Sequence, residues 1–177
     1  MIQLPVFEAP RAIVQTGRVR IRRARIGDMS AVEPIINHFA GRGLMLPRSQ
    51  EQLTRLFREF TVAVDEANNI LGCGALRVYS PTLAEITSLA VEEGVSGQGI
   101  GRRIVDRLIE EGRSLKLQTL FALTLREGFF HKLGFSSVDR ATFPLKIWAD
   151  CRSCPKLHAC DEIAVAIDIT QLPERIR

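Results

Sequence analysis

Four glycines, Gly94, Gly97, Gly99 and Gly101, stand together at the start of a segment with apolar residues at Ile100, Ile104, Val105, Leu108 and Ile109. That spacing makes one stripe on a helix, with Arg102, Arg103, Asp106, Arg107, Glu110 and Glu111 on the other face. Glycines just ahead of a helix let a ligand come close to the backbone, and the first helical N–H groups have no acceptor within the helix. Those donors and the positive end of the helix dipole suit an anion, above all a pyrophosphate. Two common phosphate motifs are excluded. Arg102 stands three residues after Gly99, which breaks G-x-G-x-x-G, and no Gly-Lys-Ser/Thr follows the loop.

Other groups with chemical potential are scattered along the chain. Glu85 is a carboxylate in the apolar run that enters the glycine loop. Arg48, Arg126 and Lys146 are cations on three separate loops, and a guanidinium fork pairs well with a carboxylate. Near the C-terminus, Cys151, Cys154, His158 and Cys160 offer soft ligands to zinc. The single residue between His158 and Cys160 strains a tetrahedral site, and a reduced thiol cluster is the alternative. Cys73, in an apolar run, reads as buried and inert.

The elements that must position these groups follow from pattern. Residues 19–25 alternate apolar and basic and read as a strand. Asp28 is expected to N-cap a helix through about Ala40, with Val32, Ile35, Ile36 and Phe39 inward. Ser49 caps a second helix, with Glu51 and Gln52 near enough to complete a capping box. Residues 61–64 and 70–79 form a hairpin around Asn68-Asn69. Residues 82–91 make the long strand into the loop, 120–125 a strand after the helix, and 127–133 a short helix ended by Gly134. Residues 135–139 and 162–169 read as the last strands. Residues 1–17 look irregular, and 18–177 are expected to form one α/β domain, a mixed central sheet flanked by helices.

Composition agrees with a globular protein. The chain has 177 residues, 46% hydrophobic and 25% charged, with a net charge of +4. No apolar run is long enough to span a bilayer. The first 17 residues lack the layout of a secretory signal. The expectation is a cytoplasmic protein that binds neither membrane nor nucleic acid, since its charge is modest and only one Trp and one Tyr are available for stacking. A homo-oligomer stays open.

The segment from Leu89-Ala90-Val91 through Ser96-Gly97-Gln98-Gly99-Ile100-Gly101 resembles the acetyl-CoA loop of the GNAT acetyltransferases, written Gln/Arg-x-x-G-x-G/A. Ser96 stands where the family usually has Gln or Arg, which removes a side-chain contact and leaves the amide cradle. The run Arg126 to Phe135, REGFFHKLGF, is similar to the family's second signature, a short helix ending in Leu-Gly-Phe beside the CoA arm. Many members carry a general-acid Tyr there, but this chain has Phe130, so that role does not transfer; Tyr79 lies elsewhere in the chain. The resemblance implies a single GNAT domain and acetyl-CoA as cosubstrate. It also implies a cofactor site of Leu89, Ala90, Val91, the loop from Ser96 to Gly101, Arg102 and Phe130.

Within the family, the loop Leu44-Met45-Leu46-Pro47-Arg48-Ser49 is similar to that of the short bacterial N-acetylglutamate synthases. So are Ala84-Glu85-Ile86, the stretch Phe143 to Trp148, and the cysteine-bearing tail. This implies L-glutamate as acceptor, with Arg48, Arg126 and Lys146 holding its carboxylates. An amine is protonated at neutral pH and must lose a proton before attacking a thioester. Glu85 is the candidate base, with His131 a rival. Period-two alternation puts Glu85 on one face with Thr87, Leu89 and Val91. A backbone N–H among Leu89 to Val91 would meet the oxyanion. Two readings compete: an acetyltransferase for another amine, such as a protein N-terminus or polyamine, and a silent acyl-CoA-binding regulator.

Overall fold

A computed structural model describes residues 18–143, 151–154, 156 and 159–173. Its elements run β1 (Arg20–Arg23), α1 (Met29–Ala40), α2 (Gln50–Leu56), β2 (Phe60–Val64), β3 (Ile70–Ser80), β4 (Leu83–Val91), α3 (Ile100–Ser114), β5 (Thr119–Thr124), α4 (Glu127–His131), β6 (Ser136–Val138) and β7 (Ile163–Asp168). These follow the periodicity of the sequence closely. The expected irregular segment 1–17 lies outside the described residues.

The strands form one mixed sheet in the order β1-β2-β3-β4-β5-β7-β6. Strands β1 to β4 are antiparallel, β2–β3 and β3–β4 as hairpins and β1–β2 across the two helices between them, and β5 pairs antiparallel with β7. The neighbours β4 and β5 are parallel, as their connection through α3 requires.

Each face of the sheet carries its own core. On one side α3 buries Ile104, Val105 and Leu108 against Leu76, Ala84, Ile86 and Leu120. On the other, α1 and α2 bring Met29, Val32, Ile36 and Leu53 onto Val62, Cys73, Ala75 and Ala90. Removing a side chain such as Ile104 from this packing costs about 2–5 kcal/mol. Gly74 lets α3 approach, because a Cβ there would meet Ile104 Cγ2 at 2.9 Å.

Two local expectations change. Helix α1 starts after Asp28, but Asp28 is itself helical and makes no side-chain cap. Its carboxylate instead takes two bonds from Arg22, at 2.6 and 3.0 Å, and one from the Arg25 N–H. A bidentate guanidinium outcompetes a capping N–H for the same oxygens. Glu111, read as part of the polar face of α3, is 9% exposed and accepts from Arg23 at 2.8 Å, tying β1 to the helix. The capping box of α2 forms as expected, between Ser49 and Gln52.

Candidate active site

Strands β4 and β5 pair only over Leu83 to Glu85 and Thr119 to Phe121, then part company. Beyond that point β4 runs on to Val91 and β5 to Thr124, which pairs with Ile163 on its far side. The gap opens into a cleft of about 560 Å³. Its walls include the loop after α1, β4 from Glu85 to Val91, Gly101 of α3, the β5–α4 turn and the segment before β7.

A β-bulge shapes the β4 wall. Four residues of β4, from Thr87 to Ala90, lie against three of β3, from Ala75 to Cys73. Ser88 takes up the surplus with φ 53°, a left-handed conformation rare for a non-glycine residue. The bulge overturns the simple alternation expected for this strand. Thr87 and Ala90 share the α1–α2 face with Glu85, whereas Leu89 and Val91 turn with Ile86 toward α3.

The glycine loop is open. Val95 is 1% exposed and anchors the turn behind it, while residues 96–99 face solvent. Gly97 and Gly99 have φ values of 83° and 76°, and a Cβ at either would meet nothing within 4 Å. The first intrahelical bond runs from the Arg103 N–H to the Gly99 carbonyl, so the amides of Ile100, Gly101 and Arg102 precede the helix's own bonding. Helix α4 closes the far side, with the Phe129 ring 3.5 Å from the Cβ position of Gly101. Phe130 lines the cleft but is 4% exposed, wedged between Phe129 and Phe135. Arg102 is half exposed near Asp106.

Glu85 is 2% exposed and faces the cleft from β4. Arg77 lies directly across on β3, where it pairs with Glu59 at 3.2 Å, and Phe121 lies across on β5. The Tyr79 hydroxyl donates to Glu85 Oε2 at 3.0 Å. Reasoning on sequence passed over Tyr79. The hairpin carries the missing signal, because Arg77 and Tyr79 fall on the face that Glu85 occupies. His131 does not line the cleft; its ring meets Ser137 Oγ at 2.9 Å on the surface.

Arg48 and Arg126 line the same cleft, joined by Arg140, which pattern alone had not singled out. Asn37 clamps the Arg48 backbone with two bonds, at 2.9 and 3.0 Å. Among the described residues, no carboxylate pairs with the guanidinium of Arg48, Arg126 or Arg140. Lys146 and His158 lie outside the described residues. Cys151, Cys154 and Cys160 form no disulfide and line the cleft. The described residues contain no group of three or more His, Cys, Asp or Glu placed to hold a metal ion, so the zinc site suggested by spacing, which also calls on His158, has no support among them. No helix among them is long and apolar enough to cross a membrane.

Residues 57–137 match the acetyltransferase (GNAT) domain family. An uncharacterized N-acetyltransferase of Chlorobaculum tepidum is 44% identical over 149 residues, covering 82% of this chain and 93% of that protein. An amino-acid acetyltransferase of Mycobacterium tuberculosis is 36% identical over 136 residues, covering 75% and 78%. Among solved structures, a Mycobacterium tuberculosis protein in complex with CoA superposes with a TM-score of 0.74 at 30% identity, over 84% of this chain and 98% of that one. The N-acetylglutamate synthase of Neisseria gonorrhoeae, complexed with coenzyme A and N-acetyl-glutamate, gives 0.78 at 26% identity over 88% of this chain, which spans 36% of that protein's length.

Proposed function

The chain belongs to the GNAT acetyltransferase family, and from that membership we propose that it moves the acetyl group of acetyl-CoA to the α-amine of L-glutamate, as an N-acetylglutamate synthase at the head of arginine synthesis. The observation that carries this reading is that a buried carboxylate, Glu85, and the guanidinium groups of Arg48, Arg126 and Arg140 line one cleft. A neutral or cationic acceptor has no use for three such cations. A dianionic amino acid does. Both structural neighbours named above carry CoA, and one carries N-acetyl-glutamate.

In this reading the pyrophosphate of acetyl-CoA sits on the amides that begin α3, and the pantetheine arm enters between β4 and β5. Leu89 to Val91 flank the arm on one side and Phe129 and Phe130 on the other. Glu85 takes a proton from the glutamate ammonium, directly or through water. The neutral amine then attacks the thioester carbonyl. A backbone N–H near the β4 bulge bonds the oxyanion of the tetrahedral intermediate, which gives its second nitrogen proton to water, collapses to the amide and expels the CoA thiolate. With Phe130 in place of a phenol, water protonates the thiolate. The products are the N-acetylated amino acid, CoA and one proton.

The deciding experiment offers acetyl-CoA with a panel of amines and follows the release of free thiol. Glutamate should outrun glutamine, spermidine and an N-terminal peptide. If spermidine or the peptide were faster, the synthase reading would fall and a GNAT acetyltransferase for another amine would remain.

A further inference from the structure

The Glu85 carboxylate has a partner that does not open into the cleft. Tyr79 donates its hydroxyl to Glu85 Oε2 at 3.0 Å, yet only Glu85 of the pair lines the cleft. The placement follows from the β3–β4 hairpin. Arg77 stands opposite Glu85, and Tyr79, two residues further along the same face, takes the diagonal position that an aromatic side chain can bridge. Its ring centroid lies 5.9 Å from that of Phe121, which is stacked on Phe143 at 4.0 Å and 9°. Packing of this kind holds the hydroxyl in one direction.

Burial disfavours a charged carboxylate, and a hydrogen bond donated to the ionised form opposes that penalty. A general base has to be ionised before it can act. We propose that Tyr79 is a positioning residue for acyl transfer, its hydroxyl bonding Glu85 Oε2 so that the carboxylate stays ionised and is held in one orientation beside the incoming amine. This rests on the reading of Glu85 as the base. Tyr79 does not take the part of the absent phenol on α4, because it is not among the residues that line the cleft.

Other charged and titratable groups lie across the strand from Glu85 or share its cleft. Arg77 lies across on β3, Arg48 on the loop after α1, Arg126 and Arg140 on the far wall, and Cys151 and Glu162 on the segment before β7. All of them remain in a Tyr79→Phe variant, so a comparison with the parent isolates the phenol.

The test has two readouts. Carbon NMR on protein labelled at its Glu carboxyls gives the Glu85 titration directly, with Glu85→Gln assigning the resonance. In Tyr79→Phe the midpoint should move to higher pH by on the order of one unit, the equivalent of one lost hydrogen bond to a charged group. The acidic limb of kcat/KM should move with it, and the rate well above that limb should return to within about threefold of the parent. Because Tyr79 is the only tyrosine in the chain, growth on fluorotyrosine alters this phenol alone. A more acidic phenol is a better donor, so the midpoint should then move the other way. A Glu85 midpoint that ignores both changes overturns the inference. A midpoint that moves while the kinetic limb stays still overturns instead the assignment of Glu85 as base, so the two failures are distinguishable.

Discussion

Ile86 and Leu89, three residues apart on β4, pack into the same core under α3. An unbroken strand would send them to opposite faces, and the left-handed Ser88 between them is what reverses the second. The same reversal carries Ala90 to the side of Glu85 and Thr87 and disturbs the β3–β4 ladder beside the cleft.

Ser88 is therefore the backbone position most sensitive to side-chain shape. Ser88→Gly should fold with unchanged or slightly raised stability and retain activity, because glycine adopts positive φ freely. Ser88→Val should lose about 1–3 kcal/mol in urea unfolding, since a β-branched residue resists that conformation. Its kcat should fall more than its affinity for acetyl-CoA. Equal stability and activity of the two variants would mean that the bulge does not depend on Ser88.

Gly99 tests the cofactor loop. Its φ of 76° strains any larger residue, and the space beside it is where a phosphate would approach. Gly99→Val should weaken acetyl-CoA binding by at least roughly tenfold in calorimetry, equivalent to about 1.4 kcal/mol, with the protein still folded by circular dichroism. Parental affinity in a folded Gly99→Val protein would remove the loop from the cofactor site.

Arg48 tests the acceptor. A lost charge-assisted contact is worth about 1.5–3 kcal/mol, or roughly tenfold to over a hundredfold in binding. Arg48→Ala should raise the KM for glutamate by that order and narrow the gap between glutamate and glutamine. Asn37 holds the backbone of this residue independently of its side chain, so the variant should keep the loop. An equal loss for both substrates would assign Arg48 to the α-carboxylate instead.

The ion pair between β1 and α1 gives a stability prediction with a definite pH sense. The Arg22 guanidinium bonded to Asp28 holds that carboxyl below its ordinary range, assisted by the Arg25 N–H and opposed by partial burial. A carboxyl depressed in the folded state contributes stability above its unfolded value, near about 3.9, and the contribution is lost as pH falls through the lower folded value. Urea unfolding of the parent and of Asp28→Asn should differ most above pH 5 and converge toward pH 2. A gap independent of pH would show that the carboxylate charge plays no part.

Much of this architecture was legible because its elements are strongly periodic. The stripe from Ile100 to Ile109 marks α3, and Ser49 with Gln52 marks the start of α2. The β4 bulge was not legible. Nothing in Thr87-Ser88-Leu89 announces a left-handed residue, since serine there gives no sign that glycine would give, and the cause lies in packing against two different helices. Tyr79 was overlooked for another reason. The resemblance to the family directed attention to a phenol on α4, and the hydroxyl that reaches Glu85 comes instead from the neighbouring strand. Asp28 looked like a cap by its position, but a guanidinium from an earlier strand claimed its oxygens.

The brief contact between β4 and β5 has a mechanical consequence. Among the described residues, three ladder pairs and the bonds of Gln118 and Thr119 to the Thr82 carbonyl stitch the sheet β1–β4 to the group β5, β7 and β6 along their shared edge; helix α3 and the cores supply the remainder. A ligand lying in the gap would then act as a rivet between two halves of one sheet. Binding to the folded state raises its stability by mass action, and here the gain should concentrate where the sheet is weakest. Amide hydrogens of β5 beyond Phe121 should exchange more slowly once acetyl-CoA is bound, while those of β2 and β3, fastened on both sides already, should change little.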